Sequence, residues 1–543
     1  MSKVAEYLQE HIDGEVSIQP AVLEAMSRDA SVLEKKPEMV VAPRLTSDIR
    51  KVCRFAWQLA EKGHVMPITA RGAGTDETGA AIGSGAMLAL QPHMNELLEF
   101  DAKQKLVRVQ PGANAKVVND ILISHGYAIP ALPLSAAYST VGGAVANNAS
   151  SPLSGNYGTM REWTYQLEVV LANGDLLQTE RISKRELNKR KGMQTFEGEI
   201  YRSLDNLIED NQELIYDHIG ADTPDTSGYS AIAKVKQKDG SFDLTPLFVG
   251  SQGTLGVVSE MILKAELFSQ QNGVVVATFT TKEAARDMLD QLKTLEPSTL
   301  DYYGGELFEL AANAGKKFAA LPVADGSAAA VIIATVNDLN ERHRNKKLRK
   351  MVKLLEKQGV SLAAAEGDDA ASYIALGEVT NFLLSPNEKG TSAPALFDGA
   401  YIAPERLEEF FRAVDALALR HHVVLPIKYK ALENTVFTRP VLHLGKVGDK
   451  QKIFKLLDEY AALVASYGGL LVSQGGEGRM KTRFAQAQME DEVKELYASV
   501  KAIFDPYGIL NPGVKQPLEV RDMVAMLRRD YDASRFAGVA YYN

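Results

Sequence analysis

The densest chemistry in the sequence lies in PITARGAGTDETGAAIGSGAML, Pro67 to Leu88. Gly72, Gly74 and Gly79 permit positive φ and close backbone approach, so successive N–H groups can converge on an anion. Arg71 adds a positive charge suited to phosphate. Two nucleotide motifs are excluded by spacing. Gly72 and Gly74 begin a GxGxxG, but Glu77 stands at the third glycine. Gly74 and Gly79 have Walker-A spacing, but Ala80 and Ala81 stand where Lys and Ser/Thr are required. Two further Gly-rich stretches are YSTVGGAVANNASSPLSGNYGTM, Tyr138 to Met160, and LFVGSQGTLGVVSE, Leu247 to Glu260. One such run is as consistent with a plain turn as with a site. Three of them, with a terminal ILNPG, make a crevice lined by backbone donors, the kind an extended phosphate-bearing cofactor needs.

Later polar residues are sparser. Lys428 and Lys430 alternate with Tyr429, so on a strand the two ammonium groups share a face. That face either meets a ligand or is a basic edge in solvent. The loop LVSQGGEGRMK, Leu471 to Lys481, offers no strong base, nucleophile or metal ligand at Ser473–Gln474–Gly475–Gly476. The nine histidines stand at 11, 64, 93, 125, 218, 343, 421, 422 and 443. A single cysteine, Cys53, excludes an intrachain disulfide, a Cys-rich zinc site and a cysteine-ligated iron–sulfur cluster. Its helical setting, IRKVCRFAWQLAEKG, reads as that of a buried structural thiol.

These groups are carried by a chain of 543 residues, too long for one core. Net charge of −9 gives no footprint for nucleic acid. No apolar run reaches the ~18–20 residues of a membrane span, and the acidic start lacks a signal-peptide core. The expectation is a cytoplasmic protein, with peripheral membrane association left open.

The first 265 or so residues alternate short apolar runs with Gly-rich turns (VMPIT, AMLAL, KLVRVQ, QLEVVLANGDLLQ), with helices near 46–62 and 114–125. A polar segment, 183–245, reads as a surface insertion. From 268 the pattern becomes strand–helix–strand. NGVVVATFT leads to a helix opened by Thr281, AAAVIIATV to a charged helix over 340–358, and a Pro-started helix follows in PERLEEFFRAVDALALRHH. VVLPIKYK and NTVFTRPVLHL read as strands, 449–467 and 486–504 as helices. The fold class is α+β. The divisions are an N-terminal helical segment 1–37, a sheet-rich domain 38–267, a cap with an antiparallel sheet 268–465, a return segment 466–515 and a tail 516–543.

Taken in order, RGAGT, VQPGA, TVGGAVANN, YGT, GSQGTLG and FDPYGILNPG resemble the FAD-linked oxidoreductases of the vanillyl-alcohol-oxidase type. The similarity is to the D-lactate dehydrogenase/glycolate oxidase catalytic-subunit branch and covers about 38–515. It implies a two-subdomain PCMH-type FAD-binding domain and a cap. It places Arg71, Gly72, Ala73, Gly74, Thr75 and Asp76 at the FAD pyrophosphate, and Ser135, Thr140, Gly142, Gly143, Ala146 and Asn147 along the flavin and ribityl chain. Gly253, Thr254, Gly256 and Val257 close over the cofactor, and Asn511 approaches the isoalloxazine. Relatives with covalent FAD carry His or Cys in or near these loops; RGAGTDETG has neither, so non-covalent FAD is expected.

The same resemblance implies a substrate-binding Arg and a metal site of two His with a GEHGDG-like loop. Aligned on TRPVL, the two His positions fall on Lys430 and Phe437. The loop His falls on Gly475, the Glu before it on Gln474, and the Arg on Gly377. No metal is therefore expected. Candidates for the remaining chemistry are Lys430 and Lys428, which would bind an anionic substrate or favour anionic reduced flavin. His443 is either a base or structural, and Glu477 and Arg479 either act near the flavin or pair to cap their loop. His421–His422 ends a helix, where the dipole explains it. The expected activity is hydride transfer from a small hydroxylated anion to FAD; the rivals are a depleted electron-relay or partner subunit, or a paralogue without flavin. Electrons would leave to a separate iron–sulfur protein, a quinone, another carrier or O₂, with Phe536, Tyr541 and Tyr542 of the tail either docking a partner or packing internally.

Overall fold

The computed structural model describes residues 3–219, 224–313, 315–316, 318–323, 328–383 and 390–529. Phe536, Tyr541 and Tyr542 lie outside the described residues. The architecture is α+β, in two sheet-built halves of one domain and a cap.

The first half is a four-stranded sheet in the order Glu15–Ser17, Met39–Ala42, Ala86–Ala89, Ile68–Arg71. Its last three strands run parallel and the first antiparallel. Helix Thr46–Glu61 packs on it because Ile49, Val52, Cys53, Ala56 and Ala60 recur at helical spacing and are all buried. Burial pushes the Cys53 thiol up to about 12, which keeps it a packing group. The N-terminal segment is not only helical: Glu15–Ser17 joins this sheet.

The second half is a five-stranded antiparallel sheet of Leu97–Asp101, Leu106–Val109, Val257–Lys264, Thr164–Val170 and Leu176–Gln178. The polar 183–245 segment departs from the surface reading. Helix Phe196–Asp210 sends Ile200, Tyr201, Leu204 and Ile208 into this core. Its charged residues mask an amphipathic period that only the buried face reveals. The expected 486–504 helix is two pieces, Thr482–Gln486 and Asp491–Phe504.

The cap is a seven-stranded antiparallel sheet: Ser361–Glu366, Asn272–Phe279, Ala330–Asn337, Thr299–Gly304, Ile427–Lys430, Thr435–Thr438 and Ala400–Tyr401. Helices Lys282–Lys293, Glu341–Glu356, Leu407–His421 and Val447–Ser466 contribute to its core. The chain then returns to the first sheet. Ile68 N donates to Ile509 O, and Asn511 N to Ile68 O, extending the first sheet by a bridge.

A buried ion pair secures that return. Glu477 and Lys515, both 0% exposed in their side chains, lie 3.7 Å apart. Gly228 N donates to Glu477, and Lys515 donates to the carbonyls of Thr226 and Gly228. Burial raises the Glu477 pKa and lowers that of Lys515, each opposed by the partner's charge. Removing one partner strands the other charge without water, which costs about 3–5 kcal/mol. Glu477→Ala is therefore expected to lower unfolding free energy by about that amount in urea denaturation; a loss under ~1 kcal/mol, the scale of an exposed pair, would show the pair to be dispensable.

Candidate active site

The glycine loop leaves strand Ile68–Arg71 and enters a cleft of about 810 Å³ between the two sheet-built halves. Arg71, Gly72, Ala73, Gly74, Thr75 and Asp76 line it, together with Thr140, Gly142, Gly143, Ala146, Asn147, Gly253 and Gly256. Glycine is required at two of these positions by contact. A Cβ on Gly72 would lie 2.1 Å from Thr140 Oγ1. One on Gly74, at φ +75°, would lie 2.1 Å from Arg71 Nη2. Thr140 caps helix Val141–Ala146 by accepting from Gly143 N, which fixes the second loop against the first.

Other expected lining residues sit elsewhere. The Arg71 guanidinium donates to Ala81 O at 2.9 Å and Arg28 O at 2.7 Å, bracing the N-terminal segment under the loop. Thr254 is buried and bonded to Ser251 O and Tyr229. Val257 is in the first hydrophobic core. Asn511 lies beneath the cleft, donating to Ala80 O and Gln252 O. Gln252, not singled out from sequence, lines the cleft and links Asn147, Thr78 and Gly478.

The cleft fits a pyrophosphate on its donor set. Among the described residues, the N–H groups of Gly72, Ala73, Gly74 and Thr75 have no hydrogen-bond acceptor in the protein. Four successive amides left unpaired beside a cavity call for an anionic acceptor.

A second chamber of about 1230 Å³ opens from the cleft, sharing Thr75, Asp76, Gly143 and Asn147 with it. Ser135, Glu77, Asp398, Lys428, Lys430, Phe437, Arg439, Gln474, Gly475 and Lys481 are among its walls. Lys428 and Lys430 are 6% and 4% exposed, on one face of the cap sheet, while Tyr429 packs in the core on the other. Lys430 donates to Ser151 O at 2.7 Å and Ser154 Oγ at 3.1 Å, and lies 3.3 Å from Glu433. Lys428 has no hydrogen-bond or ion-pair partner among the described residues; its ammonium lies 5.2 Å over the Tyr303 ring and 5.7 Å over Phe437. Burial lowers its pKa from 10.5, opposed by Asp301.

The positions that the resemblance assigns to metal ligands converge here. Lys430 Nζ is 5.9 Å from the Phe437 ring and 3.4 Å from Gln474 Oε1. A Cβ at Gly475 would meet nothing within 4 Å. An ammonium, a phenyl ring and an amide do not fit a divalent cation. Gly377 lies against the Tyr303 hydroxyl, on the same ring that Lys428 covers.

His443, Glu477 and Arg479 do not line this chamber. His443 N donates to Asp449 near the start of helix Val447–Ser466. Glu477 is held by Lys515, and Arg479 by Gly79 O, Pro512 O and Asn511. Arg439, Asp398, Lys481 and Glu77 form a charged cluster that sequence spacing does not reveal. Arg439 pairs with Asp398 at 2.6 Å and Glu77 at 3.4 Å, and Lys481 donates to Asp398 O.

Gly74→Val is expected to weaken FAD binding at least tenfold, about 1.4 kcal/mol, in a flavin-fluorescence titration. It both strains the positive φ and displaces Arg71. Affinity unchanged from wild type would show that the loop does not shape the cofactor site.

Residues 37–180 match the family described as FAD binding domain, and residues 269–514 the family FAD linked oxidases, C-terminal domain. D-2-hydroxyglutarate dehydrogenase of Escherichia coli (strain K12) is 25% identical over 95% of this chain and 52% of its own. Glycolate oxidase subunit GlcD of Bacillus subtilis (strain 168) is 23% identical over 91% of this chain and 92% of its own. The chain thus spans about half the length of the hydroxyglutarate dehydrogenases it matches. In fold it is similar to 4-ethylphenol oxidase from Gulosibacter chungangensis, with a TM-score of 0.68, 14% identity, and 96% and 98% of the two chains covered. p-Cresol methylhydroxylase gives 0.68, 13%, 95% and 96%. In this order and on this fold, the chain thus carries an FAD binding domain and the C-terminal domain of the FAD linked oxidases.

Proposed function

We propose that the protein oxidises a small hydroxylated anion of the 2-hydroxy-acid type with non-covalent FAD, and holds its substrate with lysine where the family resemblance implies a metal. The observation that carries this reading is Lys428: a buried ammonium without a hydrogen-bond acceptor among the described residues, in a chamber continuous with the cofactor cleft. A carboxylate there restores the charge balance that burial disfavours. The names of the relatives, hydroxyglutarate dehydrogenase and glycolate oxidase subunit, support the substrate class.

In this reading the amides of Gly72 to Thr75 would hold the FAD pyrophosphate, and the loops carrying Thr140 to Asn147 and Gly253 to Gly256 would complete the cofactor's site. When bound, FAD supplies a two-electron acceptor. Lys428 binds the substrate carboxylate, doing the work of the Arg that Gly377 replaces. Lys430, tied to Ser151, Ser154 and Glu433, supplies a fixed positive charge at the place of the metal. Phe437 shields both ammonium groups and excludes water. A separate electron acceptor, such as an iron–sulfur protein, is the partner this activity would require. No helix among the described residues is long and apolar enough to cross a membrane.

Anaerobic mixing of the yellow protein with glycolate, D- and L-lactate and D-2-hydroxyglutarate tests this. Bleaching by at least one of them, unchanged after dialysis against a chelator, is expected. Bleaching abolished by the chelator would overturn the metal-free site. Reduction only by a protein donor would favour the electron-relay reading. Lys428→Met is expected to weaken binding of the matching 2-oxo acid about 10–100-fold, the loss of one charge-assisted contact, at unchanged FAD content.

A further inference from the structure

The chamber needs a proton acceptor, and its walls narrow the choice. Among the described residues, none that lines it is histidine. Three carboxylates among the described residues line it: Asp76, Glu77 and Asp398. Asp76 already accepts from Thr78 N and Oγ1, Ala80 N and Asn147 Nδ2. Asp398 accepts from Arg439 through Oδ2, and its Oδ1 is buried from solvent. Glu77 differs from both. Its side chain is 31% exposed, and its one polar contact among the described residues is Arg439 Nη2 at 3.4 Å. Lys428 cannot serve as the acceptor while it carries the charge that holds a carboxylate.

Glu77 is also placed at the junction of the two cavities. It directly follows Thr75 and Asp76, which line both. Arg439, from the cap, tethers it from the chamber side. Lys428, from the cap, and Glu77, from the glycine loop, thus line one chamber that shares walls with the cofactor cleft.

We infer that Glu77 is the catalytic base, taking the hydroxyl proton of a 2-hydroxy acid held by Lys428; this rests on the function proposed above. The O–H proton moves to the Glu77 carboxylate, and the carbinol C–H bond breaks with its electron pair leaving to the bound flavin. A C=O bond forms, giving a 2-oxo acid, reduced flavin and protonated Glu77, and the balance is complete. Proton and hydride thus leave toward groups of the same domain, while the cap only binds.

The environment suits that role. Burial raises the Glu77 pKa from 4.5; Arg439 and Lys481 pull it back down, and Asp398 and Asp76 push it up. The carboxylate is the active form, so the rate rises with pH through a midpoint above the ordinary carboxylate value and then levels.

The test uses holoenzyme, wild type and Glu77→Gln, with Glu77→Asp as the conservative control. Flavin reduction by the hydroxy acid that bleaches wild type is followed anaerobically against pH, and binding of the matching 2-oxo acid by calorimetry. Glu77→Gln is expected to reduce at least ~100-fold more slowly at neutral pH and to lose the acid limb of the profile. It should bind the 2-oxo acid within about twofold of wild type, since Lys428 is intact, and Glu77→Asp should restore part of the rate and the acid limb. A wild-type rate in Glu77→Gln, an acid limb that persists, or a loss confined to 2-oxo-acid binding overturns the assignment alone. If no hydroxy acid bleaches the wild type, the functional reading falls and this assignment with it.

Discussion

A guanidinium cut off from water ties the flavin half to the returning chain. Arg479, 1% exposed, donates to Gly79 O, to Pro512 O at 2.8 Å and to Asn511 Oδ1 at 3.2 Å. Burial drives its pKa down to about 10, opposed by Asp29 and Asp76, so it stays charged at neutral pH and its buried N–H groups need those acceptors. They come from the end of the glycine loop and from the C-terminal segment, more than four hundred residues apart. Asn511, at φ +43°, then donates to Ala80 and Gln252, and Gln252 accepts from Gly478. No single loop of this knot can close without the others. The cofactor cleft is consequently formed by chain closure, and its floor is rigid.

With Arg479, Glu477 and Gly478 committed to that knot, the loop has Gln474 to Gly476 and Lys481 left to face the chamber. Chemistry there can change without disturbing the floor, and the chamber's charges are consistent with such a change. A divalent ion both holds an anion and polarises its hydroxyl. An ammonium holds an anion but is a weak Lewis substitute, so alcohol oxidation leans more heavily on a carboxylate that accepts the proton. In the proposed reading, Lys428 and Glu77, one on each domain, divide those two tasks.

Much of this was legible in the sequence because the cofactor cleft is made of contiguous motifs. The loops at 71–76, 140–147 and 253–256 carry their own backbone geometry, and each reaches the cleft from its place in the chain. The chamber is different. Glu77, Asp398, Arg439 and Lys481 meet only through the fold, and no spacing rule relates them. Glu77 was visible only as a residue that broke a dinucleotide motif. Thr254, Val257 and Asn511 share motifs with lining residues, but strand alternation and hydrogen-bond demand turn them underneath. Periodicity can state that two lysines share a face; it cannot state whether that face meets solvent or a cavity.

The direction of that face is enforced from its opposite side. Tyr429 lies between the two lysines and pairs in register with Tyr302, its ring 5.8 Å from Phe411 and its hydroxyl donating to Asn434. A one-residue slip of strand Ile427–Lys430 would exchange the faces, sending Tyr429 into the chamber and both ammonium groups into the aromatic core. Burying two unpaired charges among Phe410, Phe411 and Tyr302 would cost several kcal/mol for each. The apolar packing of one tyrosine therefore selects the register, and the register delivers Lys428 and Lys430 to the chamber opposite Phe437 and Thr435. The cap's hydrophobic core thus contributes to the candidate site through register, by leaving the lysines no other face to occupy.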